Sequence, residues 1–219
     1  MAAVRSEADT TSLPRRVPTQ ARSRHRVERV LDAAARLVVR RGVESLSTRE
    51  IAAAAGMRVA SLYQYFSDKD DVLLALAQRD MDEMDAQVLE DLAAVPQLTV
   101  ASLVRTVMMA FIKVYHRRRA FVEIYLRGRT NAAIRQFGGE HNRQIATTML
   151  DYAREAGLAT PALTHQMAML AVEVGDRVFQ LAFEVHDEGD PVLLEEGIVL
   201  VTAYLERYAT PAGLGGEHV

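Results

Sequence analysis

Several absences narrow the functions open to this chain of 219 residues. It has no cysteine, which excludes disulfides, thiolate zinc sites and thiol redox sensing. It has only six prolines and few β-branched runs, a composition that favours an all-helical fold. No run of 18 uncharged apolar residues occurs, so we expect no transmembrane helix, and the first residues lack the apolar segment of a secretory signal. We therefore expect a cytoplasmic location.

The sequence also lacks the residue patterns of an enzyme or a metalloprotein. Four histidines (His116, His141, His165 and His186) are scattered, and none forms an H-x-x-x-H or H-E-x-x-H pair. No Ser-His-Asp set, phosphate-binding loop or dinucleotide fingerprint stands out. We therefore predict that the chain is not an enzyme and that it uses no metal and no cofactor.

Charge is distributed unevenly along the chain. The formal net charge is −3, which by itself does not suggest nucleic acid. Residues 1–69, however, hold 13 basic and 7 acidic residues, a balance of +6, whereas residues 70–219 hold 13 and 22, a balance of −9. A basic first third followed by an acidic remainder is typical of a DNA-contacting head on a body that phosphate repels.

The segment from residue 45 to residue 74 has the pattern of a helix, a glycine turn, a short second helix and the start of a third. Ser47 and Glu50 are spaced as a capping box, Gly56 stands where a turn requires positive φ, and Ser67 is expected to open the third helix. Periodicity leaves five positions of the short second helix at its outer surface and rim: Val59, Ala60, Ser61, Tyr63 and Tyr65.

The string T-x-x-I-A-x-x-A-G-x-x-x-x-S-L-Y-x-Y-F-x-x-K, from Thr48 to Lys69, resembles the TetR family of bacterial transcriptional regulators. The resemblance extends over roughly residues 22–75. It implies an all-α fold, with an N-terminal three-helix helix-turn-helix head and a C-terminal helical bundle for ligand binding and dimerisation. One departure is Arg58, which replaces the family's usual serine or threonine cap and which cannot accept a hydrogen bond from the helix N-terminus.

A set of DNA contacts follows from this resemblance and from the basic charge. The resemblance implies that Tyr63 and Lys69 contact phosphate, that Tyr65 touches backbone or base, and that Thr48 and Arg49 hold the opposite wall of the groove. It also implies that Val59, Ala60 and Ser61 approach the bases, and the apolar Val59 suggests contact with a thymine methyl group. Charge adds phosphate contacts at Arg22, Arg24 and Arg58.

We expect four regions: a disordered basic arm (1–20), a DNA-binding head (21–68), a ligand-binding and dimerisation body (69–208) and a frayed tail (209–219). In the arm, Arg15 and Arg16 fit a solvated tail and a minor-groove arm equally well. The first helix should begin near Gln20 and end before Gly42. Within the body, the pair Gly138-Gly139 predicts a kink or break in an otherwise helical segment, 131–155.

The middle helices are rich in methionine and aromatic residues, which suit both an ordinary core and an adaptable apolar pocket. The resemblance implies a pocket for a hydrophobic effector. Polar residues interrupt the next apolar helix, and they could orient a ligand, cross a dimer seam or pair with one another. The candidate ligand-binding residues are Met108, Phe111, Tyr115, Tyr125, Tyr152, Glu173, Asp176 and Arg177.

Together these features predict a homodimeric repressor that binds a palindromic DNA operator and is released by a hydrophobic or amphipathic small molecule. Pairing through the last two helices is implied by the resemblance, and two apolar stripes are expected to meet the second copy: Leu170, Val174, Val178 and Leu181, then Leu194, Ile198, Val201 and Leu205. One alternative is a DNA-binding regulator without an effector, whose body serves only dimerisation or a protein partner. The operator, the effector and the regulated genes do not follow from the sequence.

Overall fold

The chain forms a helical head and a larger helical body. The computed structural model describes residues 17–128 and 131–216, and within these ranges the only β-structure is one isolated bridge. The helices are α1 (Val17–Arg41), α2 (Thr48–Ala54), α3 (Val59–Leu62), α4 (Lys69–Ala93), α5 (Val100–Arg117), α6 (Arg119–Phe121), α7 (Ala132–Glu155), α8 (His165–Ala182) and α9 (Pro191–Glu206). A π-helical turn, Val122–Arg127, continues α6, and a 3₁₀ turn, Ala212–Leu214, follows α9. The all-α prediction is confirmed.

The two ends of the chain fall partly outside this description. Arg15 and Arg16 lie outside the described residues, and Val17 is already helical, three residues before the expected start at Gln20. Gly42 ends α1 with a φ of +78°, as its position predicts. Within the predicted tail, the Thr210 N–H donates to the carbonyl of Leu158 at 2.9 Å, which ties residues after α9 to the α7–α8 loop.

The head is built from α1, α2 and α3 around one apolar core. The apolar stripe of α1 places Val30 and Leu31 against the start of α2, and Ile51 and Leu62 are fully buried between these helices. Phe66 closes the same core, as its spacing from Leu62 predicts. Burying each of these side chains contributes about 1.5–3 kcal/mol. The core therefore holds α2 and α3 in a fixed orientation on α1.

Helix α4 runs from the head into the body. Its N-cap is Asp68, whose carboxylate accepts from the Asp71 N–H at 2.9 Å, so the prediction that Ser67 opens this helix was wrong by one residue. Ser67 instead donates its N–H and hydroxyl to the Asp71 carboxylate, which holds the pKa of that carboxyl below its usual value. Either side chain can cap a helix, and the sequence alone did not decide between them.

Helix α7 passes through Gly138-Gly139 without a break, so the predicted break was wrong. The reason is the packing of α7 against Tyr125 of the π-helical turn. A Cβ atom on Gly138 would lie 2.2 Å from Cε2 of Tyr125, whereas one on Gly139 would meet nothing within 4 Å. Gly138 therefore permits a close approach of α7 to the π-helical turn, and packing maintains the helix despite two residues of low helix propensity.

Helices α8 and α9 form a closely packed hairpin. Gly197 allows this contact, because a Cβ there would lie 2.3 Å from Cγ1 of Val178. Asp190 caps α9 by accepting from the Val192 and Leu193 N–H groups, and Pro191 occupies the first turn, where its missing N–H has no cost.

The predicted outer stripe of α9 was wrong. Leu194, Ile198 and Val201 are buried inside the protomer, and Leu205 packs against the same core. In the predicted α8 stripe Leu170 and Leu181 are exposed, whereas Val174 and Val178 are partly buried and pack against the core of the protomer. The opposite side of α9 is also apolar, and together these residues form the outer hairpin face: Leu170, Leu181, Val192, Leu193, Val199 and Leu200. A helix that is apolar on both sides gives periodicity no means of choosing between them.

Candidate functional site

The turn between α2 and α3 is held from α1. Gly56 has a φ of +64°, a conformation that side chains rarely adopt, so its predicted role in the turn is confirmed. The Arg29 guanidinium donates to the Ala55 carbonyl and, at 3.3 Å, to the Gly56 carbonyl. These bonds satisfy carbonyls that the end of α2 leaves free. Arg29 was not identified from the sequence, because its partners are 26 and 27 residues away.

The first turn of α2 and the end of α3 meet at the outer surface of the head. Ser47 caps α2 by accepting from the Glu50 N–H, and Arg41 of α1 pairs with Glu50 at 2.9 Å. The hydroxyls of Thr48 and Tyr63 lie 3.1 Å apart. Tyr63 is 52% exposed, which is high for so large a side chain. The two side chains therefore lie together rather than on opposite walls of a groove, and both remain predicted DNA contacts.

The predicted base-reading positions all lie in α3, and they differ in exposure. Ala60 is exposed, whereas Ser61 and Val59 are half-buried, and Val59 also packs against the head core. Arg58 is exposed and makes no side-chain capping bond, as predicted from its lack of an acceptor. The outer surface of α3 is therefore small and smooth, which suits close approach to base edges.

Lys69 is the first residue of α4, where a positive charge opposes the helix dipole. Asp70 and Asp71 follow it, and their negative charges interact favourably with the positive end of the helix dipole. The lysine therefore has no stabilising role in its own helix terminus, and phosphate contact remains the prediction for it. Arg22, Arg24 and Arg49 are exposed, and they too remain predicted phosphate contacts.

Tyr65 is half-buried and packs against the head core. Hydrogen bonds from Arg26 and Ser23 of α1 lower the pKa of its hydroxyl. These bonds tie the segment after α3 to the first half of α1. The predicted contact of Tyr65 with DNA therefore competes with a role in fixing the start of α1.

An apolar cavity of about 130 Å³ lies in the body between α5, α7, α8 and α9. Of the eight predicted ligand-binding residues, Met108, Phe111 and Asp176 line it. We call this cavity the inner chamber. Apart from Asn142 and Asp176, its lining is apolar, and it includes Gly175, where a Cβ would meet nothing within 4 Å.

The other predicted ligand-binding residues lie elsewhere. Tyr115 is almost fully buried, stacked on Phe121 at 5.7 Å and edge-on to Phe179 and Phe183. Tyr125 stacks on Phe121 at 5.1 Å. Tyr152 packs against the core, and Glu173 and Arg177 are exposed. The tyrosines thus belong to the packed core of the body rather than to the chamber wall.

A second cavity, of about 210 Å³, lies between α4, α5 and α7. We call it the outer chamber. It shares four lining residues with the inner chamber, so these side chains form the wall between the two: Val107, Phe111, Ile145 and Met149. At its rim, Leu89 is 64% exposed and Asp85 accepts from His141 of α7 at 3.0 Å.

Asp176 stands at the polar end of the inner chamber. Its carboxylate accepts from Gln180 Nε2 at 2.7 Å and is also hydrogen-bonded by Tyr125 and Asn142. Asn142 also donates from its Nδ2 to Glu173 Oε1, at 3.2 Å. Burial, followed by the negative charge of Glu173, raises the pKa of Asp176 to about 6. Burial together with Asp176 also raises the pKa of Tyr125.

An ionic cluster connects the head to the body along α4. Arg79 pairs with Glu28 at 3.1 Å and with Asp32 at 2.9 Å, both on α1. On the body side, Arg118 pairs with Glu83 at 2.5 Å. Between them Asp80 is buried, and burial raises the pKa of its carboxyl to about 6 despite the nearby arginines.

The described residues offer neither a membrane-spanning helix nor a metal site. No helix in the described ranges has the length and apolar character needed to cross a bilayer. Residues 17–128 and 131–216 also contain no group of three or more histidine, aspartate or glutamate side chains that could hold a metal ion.

Comparison with known proteins supports the interpretation of the head. Residues 30–76 match the family model of bacterial regulatory proteins of the tetR family. An uncharacterized HTH-type transcriptional regulator of Mycobacterium tuberculosis is 35% identical over 68 residues, which is 31% of this chain. That match spans 34% of the length of the relative.

Solved structures extend the similarity over the body. A TetR-family transcriptional regulator from Streptomyces coelicolor aligns with 84% of this chain and 99% of its own, with 28% identity and a TM-score of 0.68. The fatty acid degradation regulator FadR from Bacillus halodurans aligns with 81% of this chain and 94% of its own, with a TM-score of 0.65, and at 17% identity it shows the shared fold alone. The head motif, the helical body and these alignments agree: residues 30–76 match the TetR family of bacterial regulatory proteins, and the body is similar to that of a TetR-family regulator.

Proposed function

We propose that this protein is a homodimeric transcriptional repressor that binds a palindromic operator and leaves it when a small amphipathic molecule occupies the body. The observation that carries the proposal is the outer surface of the head. The exposed Tyr63 hydroxyl beside Thr48, the small surface of α3 and Lys69 at the start of α4 combine base-reading and phosphate-binding groups in one short segment.

Dimerisation is supported by the outer hairpin face. Val199 and Leu200 are each 53% exposed, and Val192 is 67% exposed. Large apolar side chains that face water are unfavourable on a monomer, and a second copy can cover them by two-fold symmetry. The same symmetry would present two heads to the two halves of a palindrome, with centres ~34–36 Å apart or a multiple of that.

A response to a ligand is supported by the position of the two chambers. The outer chamber lies against α4, which begins at Lys69 in the head and carries the ionic cluster with α1. A molecule that widens the α4–α7 seam would favour one position of α4, and hence of the head, over another. An effector can shift this equilibrium only by its different affinity for the two arrangements.

A second candidate function, a regulator with no effector, is favoured by the size of the inner chamber. Its volume of about 130 Å³ is below the ~300–1,000 Å³ of ordinary ligand pockets. An apolar cavity of ~150 Å³ does bind a molecule the size of benzene, so the inner chamber can hold the apolar end of a ligand. Joined to the outer chamber, it can hold a longer one.

The test begins with selection of preferred sites from randomised double-stranded DNA by the full-length protein. We expect a palindrome bound by one dimer, and Val59→Gln should change the preferred bases within each half. Adding 1-octanol or n-octylamine should then weaken operator binding. If the selected site is bound equally well with either compound at saturation, the second candidate function replaces the first.

A further inference from the structure

The linings of the two chambers carry charge of one sign. Among the described residues that line them are two carboxylates, Asp176 in the inner chamber and Asp85 in the outer, and no lysine, arginine or histidine. The remaining lining groups are apolar or are neutral amides and hydroxyls. An anionic ligand would therefore meet only like charge at both ends of the cavity, whereas a cation would meet opposite charge.

The two carboxylates are not equivalent. Asp85 is 44% exposed and already pairs with His141, so water and a potential cation reach it in the free protein. Asp176 is largely withdrawn from solvent, and the groups that hydrogen-bond it are neutral: Gln180, Tyr125 and Asn142. Three neutral donors do not supply the positive charge that a buried carboxylate requires.

The charged groups around Asp176 do not neutralise it. Glu173, on the same helix, is negative and raises the pKa of Asp176 further. Arg177 is exposed and donates to Gln180 Oε1 at 3.1 Å, so a neutral amide stands between it and the carboxylate. From the other elements packed against this point come Tyr115 on α5 and Tyr125 on the π-helical turn, both with raised pKa and therefore uncharged at neutral pH.

We propose that the effector is an amine with an apolar body, whose ammonium group binds Asp176 and whose apolar part fills the inner chamber and displaces the shared wall at Phe111 and Met149 to reach the outer one. This inference rests on the proposed ligand response and specifies the chemistry of its ligand. The ammonium group supplies the positive countercharge that the Asp176 carboxylate lacks. The apolar lining excludes water from this ion pair. Unlike a hydroxyl, the ammonium group adds the attraction between opposite charges, which is stronger inside a protein than in water.

The experiment compares three compounds with the same alkyl chain, n-octylamine, 1-octanol and octanoate, by calorimetric titration of the full-length protein at pH 7.5. We expect n-octylamine to bind at least about tenfold more tightly than 1-octanol, and octanoate to bind most weakly. Asp176→Asn, which keeps the shape and removes the charge, should reduce octylamine affinity to about that of octanol. Glu184→Gln removes an exposed charge two residues after the end of the same helix and should leave all three affinities within about twofold.

The outcomes separate this inference from the proposed function. If octanol binds and releases DNA but octylamine binds no more tightly, the amine assignment is wrong and the ligand response stands. If Asp85→Asn abolishes the preference for octylamine and Asp176→Asn does not, the ammonium group binds in the outer chamber and the inference is overturned. If none of the three compounds binds, the ligand response fails together with the inference. The wild-type comparison of the three compounds requires no variant to fold.

Discussion

The inner chamber can be tested by adding one methyl group at Gly175. This residue lies inside α8, lines the chamber, and has nothing within 4 Å of the point where a Cβ would stand. Replacing glycine by alanine inside a helix contributes roughly 1 kcal/mol, and burying one methyl group in an apolar cavity adds about 0.8 kcal/mol. We therefore expect Gly175→Ala to raise the free energy of unfolding by roughly 1.5–2 kcal/mol.

The matched control is Gly139→Ala in α7. It also lies inside a helix with nothing within 4 Å, but it does not line the chamber, so we expect only the ~0.5–1 kcal/mol of helix propensity. At ~2–4 °C per kcal/mol for a chain of this size, Gly175→Ala should raise Tm by ~3–8 °C, more than the control does. The measurement is thermal unfolding at fixed protein concentration, because a dimer's Tm depends on concentration.

The same pair of variants links the chamber to ligand binding. The added methyl group occupies space that the ligand needs, so Gly175→Ala should weaken n-octylamine binding while Gly139→Ala leaves it unchanged. A Gly175→Ala protein that is less stable than its parent, or no more stable than the Gly139→Ala protein, would refute the reasoning that the chamber is unfilled.

Three further outcomes are expected. Gly138→Ala should destabilise the protein relative to Gly139→Ala by ~1–3 kcal/mol in urea unfolding, because its Cβ would lie 2.2 Å from the ring of Tyr125; equal effects would contradict the close approach. Val199→Glu should convert the dimer to monomer in light scattering while Val39→Glu, equally exposed at 53% but in the head, should not. Since the folded pKa of Asp176 is about 6, octylamine affinity should be full above that pH and fall as the pH drops through it, whereas octanol affinity should stay constant.

The head could be predicted from the sequence because its signals are local. The Ser47 cap, the positive φ of Gly56 and the inward spacing of Leu62 and Phe66 each depend on a few neighbouring residues, and the structure confirms each of them. What the sequence could not show is how α1 holds the turn. The bond from Arg29 to the Ala55 carbonyl joins residues that only the fold brings together.

The body was less predictable because packing overrides local preference there. A glycine pair usually weakens a helix, yet Gly138 sits inside α7 so that Tyr125 can approach it. In α9 both sides are apolar, and periodicity selected Ile198 and Val201 for the dimer surface although they are buried in the protomer. Only the fold distinguishes the core side of that helix from its outer side.

The candidate effector site shows the same limit. Methionine and aromatic content predicted a pocket in the middle helices, and Met108 and Phe111 do line the inner chamber. The tyrosines predicted with them, Tyr115 and Tyr125, pack in the core instead. Composition alone does not distinguish residues that line a cavity from residues that fill the core. Asp176 was one of three polar candidates at similar positions, and its place in the chamber lining separates it from Glu173 and Arg177, which are exposed.

The most direct test of the central claim is the salt dependence of operator binding by the full-length protein, measured by fluorescence anisotropy for the wild type, Lys69→Ala and Lys113→Ala. The chain has two lysines, and Lys113 lies in the body, paired with Asp91 at 2.8 Å, so its loss removes the same charge away from the head. We expect Lys69→Ala to weaken binding to all sequences about equally and to lower the slope of log affinity against log salt by roughly one unit. Lys113→Ala should keep the wild-type slope. An unchanged affinity and slope for Lys69→Ala, or an equal loss in both variants, would contradict the assignment of the head as the DNA-binding surface.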